Sequence, residues 1–487
     1  MIVRGIFRLA QGINQRTCDK HFSTCLTIQK SERKKFAMES SNYELWTKKA
    51  LIDRIKALEH LNSQTIQDSK LAIKPGDKVK TSAKRPRPFD FSRHSTRFIA
   101  LRFAYLGWNY HGLNILLQDP APPTVEGELL KAMETCKLIE SATDLKACEF
   151  SRCGRTDKGV SALSQVVSLR VRSRLNPEEQ ANEDNDSKEL SYIVMLNKLL
   201  RPDIRVYQVC LHPPEGFDAR FSCKSRHYKY FFTSYKHEPL DIQAMRKAIT
   251  YLIGEHDFRN FCRVDGSKQI DNYARTILRA SISPMDLKVT ESDDEVFYVF
   301  DLQGTAFLWH QVRCIVAILF LVGQRHEPPE IIRDLLDVDK FASKPLYDMA
   351  ADIPLLLYNC EFGDNVKWQS IADLALPDEA EKQTSGLRID VEKTWTDGAI
   401  RNHLQSIVRD RIFELTPRFA IKDTSTKTQV ALGNGQVKYL TEYVPLAKRE
   451  RMDHFSVLNK RWLERAVRTG KRDSDNNRIE REQSDLS

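Results

Sequence analysis

From Phe98 to about residue 363 the chain alternates between short runs of period two and longer runs of helical period. FIALRFAYLG, starting at Phe98, alternates as a strand does. VVSLRVRS (166–173) sets Val167, Leu169 and Val171 between polar neighbours and predicts a half-buried strand. HYKYFFTSY (227–235) and VFYVFDLQG (296–304) are strands by β-propensity. Between them, Pro122, Pro123 and Thr124 precede an amphipathic helix containing Leu129, Leu130 and Met133. A second helix is predicted across 241–254, leading into the aromatic turn HDFRNFC, and a third, largely buried, across 306–323. Residues 176–190 read as an acidic surface insertion. Upstream, Ser41 and Glu44 form a capping-box pattern before Leu45, Ile52, Ile55 and Leu58, which predicts an isolated helix over 41–62. From 63 to 96 the periodicity gives way to Lys, Arg and Pro, the composition of a flexible basic linker. Beyond 364 the apolar pattern weakens, leaving helix-like pieces at 396–416 and 455–468 and a polar tail. Strands in both halves with several helices predict an α+β core whose pairing is largely antiparallel.

With 487 residues the chain has room for two or three domains. Lys plus Arg number 75 against 66 Asp plus Glu, a net charge of +9 that suits a polyanionic partner. Its distribution says more, because basic residues crowd 68–102 and 446–472 while acids concentrate near 178–190 and 286–295. The ten cysteines contain no C-x-x-C pair. The closest spacings, Cys18/Cys25 and Cys148/Cys153, lack a second ligand pair and a nearby His, so the sequence reads as free thiols in a reducing compartment, with no metal site. The longest apolar run, Cys314–Gly323, is too short to span a bilayer. The first 37 residues are rich in Arg, Lys, Ser and Thr, which fits a mitochondrial presequence or a disordered basic tail. Met38 follows directly and offers a second start. No Walker A pattern and no strand-linked G-x-G-x-x-G is present, which argues against a nucleotide cofactor.

The most distinctive stretch is SRCGRTDKGVSALSQVVSL (151–169). It places a carboxylate, Asp157, between Arg155 and Lys158 on a loop punctuated by Gly154 and Gly159, just before a strand. Two flanking cations keep such a carboxylate ionised and available as nucleophile or base, and the glycines permit a tight turn close to a ligand. Taken alone, an R-T-D sequence is more often a surface turn with a local salt bridge. The context changes this. RCGRTDKGVSA resembles the G-R-T-D-x-G-V-H-A signature of the TruA-type tRNA pseudouridine synthases. YLGWNYHGLNILLQ (105–118) resembles the opening segment of that family, with Leu106 and Leu113 departing from it. FDARFSCKSRHYKYFF (217–232), the AFLWHQVRCIVAILFLVG stretch (306–323) and PLLLYNCEF (354–362) resemble later family segments in the right order. Cys153, Lys158 and Ser161, the last standing where bacterial members have His, look closest to the eukaryotic tRNA pseudouridine-38/39 synthases.

The resemblance implies the pseudouridine synthase fold, two α/β subdomains whose mostly antiparallel sheets join around a central basic cleft. It implies a division into a possible targeting segment or tail (1–37), an N-terminal helix and linker (38–97), a catalytic subdomain (98–240), a second subdomain (241–363) and a C-terminal extension (364–487). The implied activity isomerises uridine in the anticodon stem-loop of tRNA without cofactor or metal, in the nucleus and cytoplasm, with a mitochondrial destination open through the basic N-terminus. The implied partners are tRNA and a second copy of the chain in a homodimer, with no membrane. Asp157 is then the catalytic carboxylate, acting at C1′ or on the 2′ proton. Arg155 holds the flipped nucleotide, and Tyr228 stacks on the base and serves proton transfer. Tyr230 shares a strand face with Tyr228, and only the family position favours the latter. Arg313 is a cation in an apolar helix, costly unless paired, for which the resemblance proposes Asp157 as partner. His310 reads as a core or cleft-wall residue. Lys158, Arg226 and Arg275 join Tyr228 as substrate-binding candidates, Arg275 within FCRVDGSKQIDNYARTILRA (261–280), whose mix of cations and aromatics suits phosphate contact with stacking. The alternatives are an enzyme for other RNA uridines and an inactive RNA-binding protein on the same scaffold.

Overall fold

Nine strands form one sheet that runs through both halves of the folded body in a computed structural model of the chain, which describes residues 89–115, 122–236, 238–285, 295–416 and 427–469. The basic N-terminal segment, the helix expected over 41–62, the linker as far as residue 88 and the tail beyond 469 lie outside the described residues. The strands are β1 (Thr96–Tyr105), β2 (Ser151–Arg152), β3 (Ser161–Arg172), β4 (Ile204–Cys210), β5 (Ser225–Tyr235), β6 (Gly254–Asp257), β7 (Ala274–Pro284), β8 (Glu295–Gly304) and β9 (Leu355–Glu361). Their order is β4-β1-β3-β9-β5-β8-β7-β6, with β2 also paired to β3. All neighbours run antiparallel except β3 and β9, where Ser161 and Ala162 face Leu356 and Leu357 in parallel. That seam joins the two halves, and the last strand of this sheet in sequence closes it.

β3 departs from the half-buried expectation. Within it, Gln165 and Ser168 are as buried as Val166 and Leu169, whereas Arg170 and Arg172 are half-exposed on either side of buried Val171, as alternation predicts. The two buried polar side chains are satisfied locally: Gln165 Nε2 donates to the carbonyl of Gly154 (3.1 Å) and Ser168 Oγ accepts from the amide of Ala219 (3.2 Å). The middle of this central strand is covered on both faces, so alternation is lost there and returns only towards Arg172. The acidic insertion also departs from expectation. Asp186 and Glu189 are buried and accept from the guanidinium of Arg97 at 3.1 and 3.3 Å, with His212 alongside. Charges of this kind persist inside a fold only when paired and hydrogen-bonded, and they dock the insertion onto β1.

Helix α1 (Val125–Thr135) starts where Thr124 accepts from the amide of Gly127, and it buries Leu129, Leu130 and Met133. Helix α2 (Ile242–Thr250) is capped by Asp241 and packs against α3 (Gln311–Gly323). α3 begins five residues later than predicted, and every residue of it except Arg313 is buried. Near the C-terminus, α4 (Pro377–Leu415) carries a row of exposed apolar side chains. The hairpin of β10 (Thr428–Ala431) and β11 (Val437–Leu440) and the helix α5 (Phe455–Arg468) return to the body. α5 matches the piece expected at 455–468 and docks through Phe455 on Tyr273 (ring centroids 4.9 Å) and Asn459 on the Ile270 carbonyl (3.0 Å). No helix among the described residues is long and apolar enough to cross a membrane.

Candidate active site

The 154–160 loop is held from behind by the end of β1 and the segment that follows it. The Tyr105 hydroxyl lies 2.7 Å from Thr156 Oγ1, the Leu113 amide donates to the Thr156 carbonyl (3.2 Å), and the Gly107 amide donates to Ser161 Oγ (3.0 Å). From the other side, Arg226 Nη2 donates to the carbonyl of Cys153 (2.7 Å). Gly159 has φ +81°, a left-handed position, and a Cβ there would stand 2.9 Å from the carboxyl carbon of Asp352. The amide of Val160 closes the turn on the carbonyl of Asp157 (3.2 Å).

This turn leaves the Asp157 side chain 27% exposed. Oδ1 accepts from the indole N–H of Trp309 (3.2 Å), and Oδ2 lies 3.4 Å from His310 Nε2. Both partners belong to the turn into α3. His310 is the N-cap in a left-handed conformation (φ 62°), and its buried Nδ1 has no partner among the described residues. FLWH continues the apolar pattern of α3 and so reads as helix in sequence. The backbone at His310 forbids this, and Trp309 and His310 instead reach the loop. His310, read from sequence as a core or cleft-wall residue, has its side chain buried and lying against the carboxylate.

Arg313 does not pair with Asp157. Its Nε donates to the carbonyl of Ala350 (2.8 Å) and its Nη2 lies 4.0 Å from Asp352. From its place in the first turn of α3, the side chain is committed to the 350–352 segment. Asp352 in turn backs Gly159, so Arg313 bears on the Asp157 turn through one intermediary.

The two tyrosines of β5 separate clearly. Tyr230 is fully buried and donates to the carbonyl of Ala351 (3.1 Å), a structural tie. Tyr228 packs edge-on against Phe307 (5.0 Å), and its hydroxyl makes no hydrogen bond among the described residues. Burial pushes its phenol well above the ordinary tyrosine value, with buried thiols and the nearby Asp157 charge adding to the shift. Arg155 and Lys158 flank Asp157 on the exposed side of the loop. Arg226, by contrast, spends its guanidinium on the carbonyls of Cys153, Arg220 and Thr305. Arg275 donates to the carbonyls of Asn272 and Ala274. Of the residues predicted from sequence, the structure therefore gathers Asp157, Arg155, Lys158 and Tyr228, and gives Arg226, Arg275 and Arg313 backbone partners.

Three exposed aromatics escaped the sequence reading. Trp309 is 42% exposed and stacks with the Arg263 guanidinium (4.8 Å), Phe221 is 59% exposed and lies beside the Arg220 guanidinium, and Trp108 is 57% exposed next to Gly107. Large flat rings in water beside cations suit stacking on bases. Sequence offers only their residue type, which equally predicts core.

A model of the tRNA pseudouridine synthase family matches residues 248–363. The tRNA pseudouridine(38/39) synthase of Saccharomyces cerevisiae is 46% identical over 432 residues, covering 87% of this chain and 92% of that protein. The human protein of the same name is 38% identical over 73% of this chain and 72% of its own length. The tRNA pseudouridine synthase A of Methanosarcina barkeri is 32% identical, covering 55% of this chain and 86% of its own.

Proposed function

The chain belongs to the tRNA pseudouridine synthase family, and from that premise we propose that it isomerises uridine to pseudouridine in the anticodon stem-loop of tRNA, at positions 38 and 39. The observation that carries the reading is the setting of Asp157. Its half-exposed carboxylate stands on a turn fixed from two sides, with Arg155 and Lys158 outside it and Tyr228 packed within. A flipped nucleotide entering this cleft would meet its phosphates with the exposed cations and its base with the aromatic floor. Asp157 then works at the ribose, either by bonding to C1′ as the N1–C1′ bond breaks or by taking the C2′ proton. The freed uracil turns, C5 bonds to C1′ as the Asp157–C1′ bond breaks or the proton returns to C2′, the C5 proton leaves, and N1 ends protonated. Burial keeps Tyr228 a neutral phenol at the start of this sequence. Trp309 and His310 aim the carboxylate, and Arg313 supports the turn through Asp352. The chemistry balances without an external oxidant or reductant.

The test is tritium release from C5-labelled uridine in an unmodified tRNA transcript, with wild type and Asp157→Ala. Release by wild type alone, mapped to positions 38 and 39, supports the proposal. Release by neither, with tRNA binding intact, overturns it in favour of an RNA-binding role. Loss of pseudouridine outside the anticodon stem-loop on deletion would place the target elsewhere. We further propose a homodimer in the nucleus and cytoplasm. Support for a second copy is the resemblance to dimeric relatives together with the exposed Ile400, Leu404, Ile407 and Leu415 along α4. A monomeric mass by light scattering would refute the dimer.

A further inference from the structure

We propose that Cys153, Cys223 and Cys360 bind one thiophilic metal ion, Zn²⁺, and so pin the catalytic loop to the seam of the sheet. The three cysteines come from the start of the 153–160 loop, the approach to β5 and the end of β9. Their sulfurs all lie within 4.8 Å of one another, and all three residues are buried. Three thiolates on one tetrahedral zinc, with Zn–S near 2.3 Å, stand about 3.8 Å apart, so closing on an ion asks for side-chain adjustment rather than backbone movement. The soft sulfur set selects zinc-like ions over magnesium or calcium.

Charge points the same way. The Arg226 side chain is partly buried, and its hydrogen bonds go to three carbonyls. Among the described residues no carboxylate lies within 4.0 Å of it. A cation drawn partly out of water gains from an anion nearby, and the sulfurs of Cys153, Cys223 and Cys360 are among the groups that act on Arg226. Three thiolates and one Zn²⁺ sum to one negative charge, which Arg226 offsets. Thiolate is the form a metal takes. The fourth position falls to a ligand other than cysteine. Cys153 stands four residues before Asp157, so the ion acts on the loop's placement and takes no part in the reaction.

The test uses the full chain, purified from zinc-sufficient medium without a metal-affinity step. Elemental analysis by mass spectrometry should find about one zinc per chain, and X-ray absorption should give three sulfurs near 2.3 Å with one lighter atom. Cys360→Ser should lower the zinc content roughly tenfold or more. Cys262→Ser, which removes a buried thiol elsewhere beside Lys344, should keep it. Folded, active wild type that remains metal-free after zinc addition and dialysis overturns the proposal. So does a disulfide among the three cysteines, or zinc retained in Cys360→Ser. If Cys360→Ser fails to fold, the wild-type stoichiometry and sulfur count decide alone.

Discussion

Gly154 and Gly159 bracket the same turn, yet the structure asks for glycine only at the second. At Gly159 the backbone is left-handed, which costs a residue with a Cβ about 1–2 kcal/mol. The new methyl would also stand 2.9 Å from the Asp352 carboxyl carbon. That carboxylate accepts from the Ile353 amide (2.9 Å) and faces Arg313, so moving it disturbs roughly another 1 kcal/mol of hydrogen bonding. Together these penalise the active turn by about 2–3 kcal/mol, which at 1.36 kcal/mol per decade is a roughly 30- to 160-fold loss of the competent population. At Gly154 the nearest atom to a Cβ is Arg226 Nε at 3.6 Å, an ordinary contact, with no positive φ. Single-turnover tritium release should therefore fall by one to two orders of magnitude in Gly159→Ala, and by less than about threefold in Gly154→Ala. Filter-binding affinity for tRNA should hold in both. Gly154→Ala as damaging as Gly159→Ala, or a fully active Gly159→Ala, would refute the reasoning.

Trp309→Phe removes the indole donor to Asp157 while leaving a ring, and loss of one charge-assisted bond worth about 1.5 kcal/mol should slow the chemical step roughly tenfold at an unchanged melting temperature; an unaltered single-turnover rate would contradict the aiming role. Tyr228→Phe should abolish most turnover while binding tRNA normally, whereas Tyr230→Phe should cost about 1 kcal/mol of stability in denaturant and leave most of the rate. Arg97→Met strands Asp186 and Glu189 without their cation and should destabilise the folded body by about 3–5 kcal/mol, read as a lowered denaturation midpoint. Asp241→Ala removes the α2 cap and should cost about 1 kcal/mol at neutral pH. The amide of Ala244 holds the Asp241 carboxyl below its ordinary value, so this stabilisation is present above the unfolded-state value and is lost as pH falls through the folded one. The gap between wild type and variant should accordingly close in strongly acidic buffer, and a gap that widens there would reverse the sign.

What could be read in advance follows how far apart in sequence the cooperating groups lie. Asp157, Arg155 and Lys158 are neighbours, so one motif carries them together; β5, β8 and α5 are written in local periodicity and are found where that periodicity puts them. The helical apolar spacing of FLWH puts the start of α3 too early, while the deciding feature, a left-handed His310, leaves no mark in composition. Arg313 shows the limit more sharply. An apolar helix announces that its cation needs a partner, but the partner stands 37 residues away, on a segment that Tyr230 fixes through Ala351 and the C-terminal hairpin fixes through the Ala351 amide and the Leu432 carbonyl (2.7 Å).

The same reasoning applies to the thiols. Spacing along the chain separates Cys153, Cys223 and Cys360 into three unremarkable residues, and a search for C-x-x-C passes over them. Only the parallel seam, which lays β9 between β3 and β5, brings the end of one strand and the approach to another beneath the loop of Asp157. The loop is thus gripped on one side by Tyr105 and Leu113 and on the other by Arg226 and the sulfur cluster. A carboxylate that must meet a flipped nucleotide in one orientation gains from both grips, because each removes a direction in which the turn could otherwise relax.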